Sequence, residues 1–297
     1  MAPSLTGLVA SEDGIVEKPA LALLQELGWA HINLQDEAPG PANPTGRISF
    51  HQAYLPAHLK AALARLNPTL PAEALTRAQE ALTRDRSAML PINANREVMA
   101  LLIEGVLVQV RNDKGGFDDL QVRVIDWRNT ANNDFVVASQ VWIHGVLHKR
   151  RPDTIGYVNG LPLMLAEWKA PTKPLAEAYD KNLRDYRDTV PHLFDANGFV
   201  ILSNGVEAVM GASHAPYDVY APWKRLVEDG PESVGMETLL RGTCAPARFL
   251  DLIENFLLFD EARGGLRKVV GKYHQVLGVN RAIEAVRRVQ DNQGRLG

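Results

Sequence analysis

Apolar residues recur at helical spacing through the first hundred positions and then alternate with polar ones over the next seventy. The spacing predicts a helix over Glu17 to Trp29, with Leu21, Leu24 and Leu27 in one stripe and Gly28 as its stop. Further helices are expected over Leu55 to Leu66, Pro71 to Asp85 and Arg96 to Glu104. Asp36 to Gly46, with three prolines and two glycines, reads as a loop. Period-two alternation then predicts strands in Gln121 to Trp127 and Asp134 to Ile143. Two more follow, Thr154 to Val158 and Leu163 to Trp168, on either side of Asn159-Gly160, a strong hairpin signal. Short links between these four runs suggest an antiparallel meander. A helix over Lys173 to Thr189, a buried strand over Gly198 to Ser203, and helices over Pro246 to Phe259 and Asn280 to Gln290 complete the expectation. Helices, strands, helix and strand in that order imply an α+β or mixed α/β core.

Charge falls in an unusual place in this pattern. Glu167 and Lys169 directly follow the apolar run LMLA and, two apart on a strand, face one side. Burying charge at the end of such a strand is costly without a function or a partner. Asp153 opens the preceding strand. With a plain two-residue turn at Asn159-Gly160, Asp153 faces Ala166 and points to the wrong side. A shared site therefore requires a three-residue loop or a bulge in the hairpin. Two converging carboxylates suit Mg²⁺, with Mn²⁺ as substitute, because hard cations take oxygen ligands and keep several waters. Such an ion polarises a phosphodiester and acidifies a bound water. A neighbouring lysine positions that water or stabilises the charge that develops. Lys149, Arg150 and Arg151, after His148, would hold flanking phosphates.

The 297 residues are 46% hydrophobic and 23% charged, so wholesale disorder is excluded, and the length allows one large domain or two ordinary ones. The net charge of −3 excludes a generally basic nucleic-acid coat. It hides an asymmetry: Arg263 to Gly297 carries eight Lys/Arg against two Asp/Glu, which suggests a boundary near 260 or a solvated helix face. One cysteine, Cys244, rules out an intrachain disulfide. No run of about 18 apolar residues and no signal-peptide pattern occurs, so a cytoplasmic protein with no membrane partner is expected.

The segments RPDTIGYVNGLPLMLAEWKAP (Arg151 to Pro171), NDFVVASQ (Asn133 to Gln140), FHQAYLP and ALARLNPTLP are together far more specific than the three charged positions. So are YRDTVPHLF (Tyr186 to Phe194), ILSNGVEAVMGA (Ile201 to Ala212) and Trp223-Lys224. Over most of its length the chain resembles the N-terminal part of the restriction (R) subunit of type I restriction endonucleases, whose nuclease belongs to the PD-(D/E)xK superfamily. The resemblance implies an α/β restriction-endonuclease-like core, a mixed sheet flanked by helices with helical additions. It implies Asp153 and Glu167 as metal ligands, the Trp168 carbonyl as a third, and Lys169 as the catalytic lysine. The family's Gln-x-x-x-Tyr motif corresponds to Asn182 and Tyr186, with Asn in place of Gln and one methylene less reach. Glu17 would be the extra acidic residue of some superfamily members, or a first-turn glutamate serving the helix dipole.

Residues 1–260 are then expected to form the nuclease domain, with a helical insertion near 50–105, and 261–297 a helical lead-in to an ATP-driven motor. The motor's phosphate loop is not matched: across Gly265 to Tyr273 the glycine spacing is one residue too long, and Tyr273 stands where a hydroxyl ligand to Mg²⁺ belongs. The chain reads as a fragment ending near where that loop begins in the family, so ATP use would belong to the full-length protein. His144 and His148, four apart beside a strand, lack an obvious third ligand for zinc. The leading expectation is a Mg²⁺-dependent endonuclease that cuts double-stranded DNA after translocation, with modification and specificity subunits as partners. The alternative is a docking module that fastens the motor to those subunits. A DNA-binding protein with a dead nuclease fold is disfavoured by the three catalytic residue types.

Overall fold

The computed structural model describes residues 13–262 and 264–291. A short π-helical turn, Asp13–Glu17, leads into α1 (Lys18–Glu26), and β1 (Ala30–Asn33) follows. Three helices come next: α2 (Pro56–Leu66), α3 (Ala72–Thr83) and α4 (Pro91–Glu104). A separate hairpin of β2 (Val106–Arg111) and β3 (Phe117–Val122) precedes β4 (Phe135–Ser139). The two-residue strands β5 (Ile143–His144) and β6 (Lys149–Arg150) form a small ribbon. Then come β7 (Thr154–Val158), β8 (Leu161–Trp168), a π-helical segment (Ala178–Leu183) that runs into α5 (Arg184–Thr189), β9 (Phe199–Ser203) and β10 (Ala208–Gly211). The chain continues through α6 (Met236–Thr243), α7 (Pro246–Asn255), the hairpin β11 (Leu257–Ala262) and β12 (Gly265–Val270), and α8 (Tyr273–Asp291).

Six strands make one mixed sheet in the order β1-β4-β7-β8-β9-β10. β1 runs parallel to β4 and β8 parallel to β9, while the other neighbours are antiparallel. Every residue of β4, β7, β8 and β9 is buried, because apolar layers cover both faces. One layer holds Leu24, Leu63, Met99 and Phe249 from the helices; the other holds Tyr179, Leu183, Tyr186 and Phe194 from the α5 region. This is the mixed α/β, restriction-endonuclease-like core that was expected.

The meander differs from expectation. Only β4, β7 and β8 of its four runs join the sheet, and β4's other neighbour is β1, which the sequence reading passed over. Gln121 and Val122 end β3, and residues 123–127 make no strand. The cause is local: the Asn67 amide occupies both backbone groups of Arg123, at 2.8 Å each. The run from Asp134 also breaks, at Gln140, whose φ is +59°.

The last hairpin, where the phosphate-loop motif was rejected, is locked to the body. Lys268 of β12 donates to Asn95 Oδ1 at 2.9 Å and to the Asn197 carbonyl, in a buried site. Burial pulls its pKa down to about 7. A lysine whose folded pKa lies below its unfolded value of about 10.4 destabilises the fold fully below pH 7 and ceases to do so as pH rises towards that value. Unfolding titrations should therefore show stability rising from pH 7 to 10, by on the order of 4 kcal/mol at most, and Lys268→Met should flatten that rise. Gly156 lies against Met164 and Trp29, where an added Cβ would come within 2.8 Å of Met164 Cε. Gly156→Ala is expected to cost about 1–3 kcal/mol in urea denaturation; an unchanged midpoint would show that this contact is loose.

Candidate active site

Asp153 and Glu167 stand opposite one another because of one extra residue. The turn is a plain two-residue one, Asn159 at φ +51° and Gly160 at φ +80°, with Val158 facing Leu161. Glycine is required there, since a Cβ on Gly160 would meet the Leu55 carbonyl oxygen at 2.5 Å. Tyr157 faces Pro162, but Gly156 faces Met164, so Leu163 is bulged out of the ladder. Beyond it Thr154 pairs with Ala166, which sets Asp153 across from Glu167. Of the two devices that could align the carboxylates, the structure uses the bulge and not the longer loop.

The bulge also decides the face. Leu161, Leu163, Met164 and Ala166 all enter the layer under α7, so the alternation slips by one between Leu163 and Met164. Leu165 consequently turns to the α5 side, as do Ile155 and Tyr157 of β7. Glu167 and Asp153, each two residues further along, follow them.

Both carboxylates accept backbone N–H groups, and that of Glu167 is cut off from solvent. The Asp153 N–H donates to Glu167 Oε1 at 3.2 Å, and the Trp168 N–H donates to Asp153 Oδ2 at 2.9 Å. The Trp168 indole N–H donates to Thr154 Oγ1 at 2.9 Å, fixing the large ring below the strand. Glu167 is fully buried, and its Oε2 makes no hydrogen bond of good geometry among the described residues. Burial, and then the Asp153 charge, push its pKa well above the usual carboxylate range. Lys169 and the Asp153 N–H oppose that shift, as does the neighbouring Tyr186 hydroxyl. Tyr186 is itself raised by burial and by the Glu167 charge. Asn182 Nδ2 reaches the Tyr186 hydroxyl at 3.5 Å, so the motif pair does meet.

Sequence reasoning missed Gln140. Its N–H donates to the Asp153 carbonyl at 3.1 Å, and its side-chain amide lies 3.3 and 3.4 Å from the two oxygens of Glu17. Glu17 is 6% exposed and thus joined to the carboxylate pair through one residue. The available signal was the end of the NDFVVASQ run, where alternation stops. The three basic residues, grouped together from sequence, separate in the structure. Arg150 is ion-paired to Asp185. Lys149 and Arg151 are exposed and lie over the Trp142 ring at 5.5 and 5.3 Å from its centre. His144 and His148 flank a turn. Among the described residues no group of three or more His, Cys, Asp or Glu side chains is placed to hold a metal.

The donor set instead fits a hard cation bound by two carboxylates and backbone. Glu167 presents an oxygen without a good partner beside the Asp153 carboxylate. In an extended strand a residue's N–H and C=O point to the same edge. The Trp168 N–H meets Asp153, so the Trp168 carbonyl is turned towards it as well.

A mixed sheet with this carboxylate pair and lysine at the end of its central hairpin defines a restriction-endonuclease-like fold. Residues 10–219 match the family model described as type I restriction enzyme R protein N terminus, and the chain belongs to that family. It is 31% identical over 280 residues to the type I restriction enzyme HindI endonuclease subunit of Haemophilus influenzae, covering 91% of this chain and 26% of that protein. It is 22% identical over 299 residues to the putative type I restriction enzyme MjaIXP endonuclease subunit of Methanocaldococcus jannaschii, covering 92% of this chain and 28% of that protein. The chain thus spans about a quarter of the length of these relatives. No helix among the described residues is long and apolar enough to cross a membrane.

Because the charged form of buried Glu167 is disfavoured, stability falls as pH rises from the unfolded glutamate pKa towards the higher folded one. Glu167→Gln removes that fall and should melt above the parent at neutral pH, read by calorimetry without metal. A lower melting temperature would mean the carboxylate is better compensated than its burial implies.

Proposed function

We propose that this chain is the Mg²⁺-dependent endonuclease part of a type I restriction enzyme, hydrolysing phosphodiester bonds of double-stranded DNA. The observation that carries the reading is the Leu163 bulge, which sets Asp153 and buried Glu167 opposite one another on the side of Tyr186. A strand pair that served only the core would have no use for a register slip that buries a carboxylate. Asp153, Glu167 and the Trp168 carbonyl would hold the ion, which when bound polarises the scissile phosphate and acidifies a water. Lys169, whose charge reaches Glu167, orients the attacking water and stabilises the charge that develops on phosphorus-bound oxygens. Asn182 and Tyr186 position Glu167 from the helix side. Lys149 and Arg151 supply exposed positive charge for the DNA backbone. In this reading residues 1–260 are the nuclease, and 261–297 lead towards an ATP-driven motor that translocates DNA before cleavage. The modification and specificity subunits select the site, and the complex works in the cytoplasm.

A docking role is compatible with the same fold. It is favoured by Val279, Ile283 and Val286, an apolar row on α8 that stays 44–57% exposed. Calorimetric titration with Mn²⁺ should show binding that Asp153→Ala removes. In the assembled complex, Asp153→Ala and Lys169→Ala should each lower cleavage by at least about a hundredfold while ATP hydrolysis persists. Retained cleavage by either variant would overturn the assignment and leave the docking role.

A further inference from the structure

The β5–β6 ribbon ends in residues that do not suit a turn. His144 pairs with Lys149, and the Gly145 N–H donates to the His148 carbonyl at 2.8 Å, so Val146 and Leu147 are the two central residues of a tight hairpin. Two-residue hairpins favour Asn, Asp or Gly there, because the favoured turns need positive φ. Among the described non-glycine residues only Gln140 and Asn159 have it. Val146 is 95% exposed and Leu147 86%, so neither apolar side chain packs on the body. The ribbon beneath them is firmly seated. A Cβ on Gly145 would meet the Thr189 carbonyl oxygen at 2.0 Å, so the neck just below the tip presses on the end of α5, and Arg150, at the ribbon's base, is ion-paired to Asp185 of the same helix.

An apolar tip on a rigid stem, at the cost of poor turn chemistry, calls for an occupant. Charge decides which. His148, Lys149 and Arg151 are exposed beside the tip, the two cations lying over Trp142, which suits a polyanion. Leu147 is six residues from Asp153, so it lies within about 20 Å of the carboxylate pair. That is one duplex width from the phosphate the site would cut.

We propose that Val146 and Leu147 form an apolar wedge that enters the minor groove and partly unstacks a base step beside the scissile phosphate, while Lys149 and Arg151 grip the adjoining backbone. This rests on the nuclease reading above and deepens it. Wedges of Leu, Ile, Phe or Met act in this way in minor-groove proteins that kink DNA. The wedge gives a site with no base-reading element a preference for deformable pyrimidine–purine steps.

The test uses this chain with a 30-base-pair duplex carrying 2-aminopurine at central steps, in EDTA so that no backbone is cut. Wild-type protein should raise the 2-aminopurine fluorescence on binding. The double variant Val146→Ser, Leu147→Ser should lose that rise, with affinity falling no more than about tenfold because phosphate contacts dominate binding. Leu147→Phe should keep it. Serine suits a turn, so the variants' melting temperatures should match the parent's and exclude unfolding as the cause. A rise that persists in the serine variant overturns the wedge and leaves the nuclease reading intact. Failure of wild-type protein to bind the duplex at low salt overturns both. If the serine variant instead loses only its hold on the modification subunits, the tip is a protein contact and the proposal falls.

Discussion

Two antiparallel strands joined by a two-residue turn fix every cross-strand pair from the turn outward. In the hairpin of β7 and β8 that rule, left alone, would send Glu167 into the apolar layer beneath α7, away from Asp153. Leu163 breaks the count. Because the side-chain period of a strand is two, one inserted residue turns every later side chain to the other face. The first half of β8 therefore fills one core layer, and Glu167 near its end serves the other side. Gly156, opposite the slip, makes room for Met164, whose side chain follows Leu163 into the same layer.

The slip has an electrostatic consequence. It places a fully buried glutamate beside a second carboxylate, and desolvation and like charge both resist ionisation of Glu167. The surroundings offset this only partly, through the Asp153 N–H, Tyr186 and the charge of Lys169. A site optimised for stability would put an amide or an apolar group there. A site that is to hold a divalent cation leaves a carboxylate under-compensated, because the ion itself completes the neutralisation. The unsatisfied oxygen of Glu167 and the raised pKa are two expressions of that one arrangement.

Much of this was legible in the sequence, and what was not has physical causes. Long periodic segments such as Leu55 to Leu66 were readable because one face meets the core. The Asp153–Glu167 pairing could be deduced because face arithmetic on a hairpin leaves few solutions. A choice between bulge and longer loop could not be made, since both give the same pairing and only backbone geometry separates them. Ala30–Asn33 escaped because four residues with no buried alternation carry no period. Leu257 to Phe259 reads as the tail of a helix because Phe259 continues the apolar spacing of α7, although these residues open β11 and pair with β12. Gln121 to Trp127 alternates as a strand should, but the Asn67 amide takes the backbone groups a neighbouring strand would need.

Helix α5 ties the chemistry to the surface that surrounds it. Two consecutive residues divide its work: Asp185 pairs with Arg150 of the ribbon, and Tyr186 lies against Glu167. A helix turn is rigid on the scale of a side chain, so the ribbon's basic residues and the carboxylates cannot drift apart without breaking an ion pair or exposing a buried tyrosine. The same helix bears on the ribbon's neck, at Gly145 below the tip, through Thr189. Whatever the ribbon touches is thereby held at a fixed offset from Asp153, set by the covalent path through Arg151 and Pro152 on one side and by α5 on the other. Cutting a phosphodiester demands that kind of placement, because a reacting oxygen misplaced by about 1 Å costs on the order of a hundredfold in rate. On the proposed reading, a sheet that fixes the carboxylates and a helix that fixes the ribbon to them meet that demand without any base-reading element.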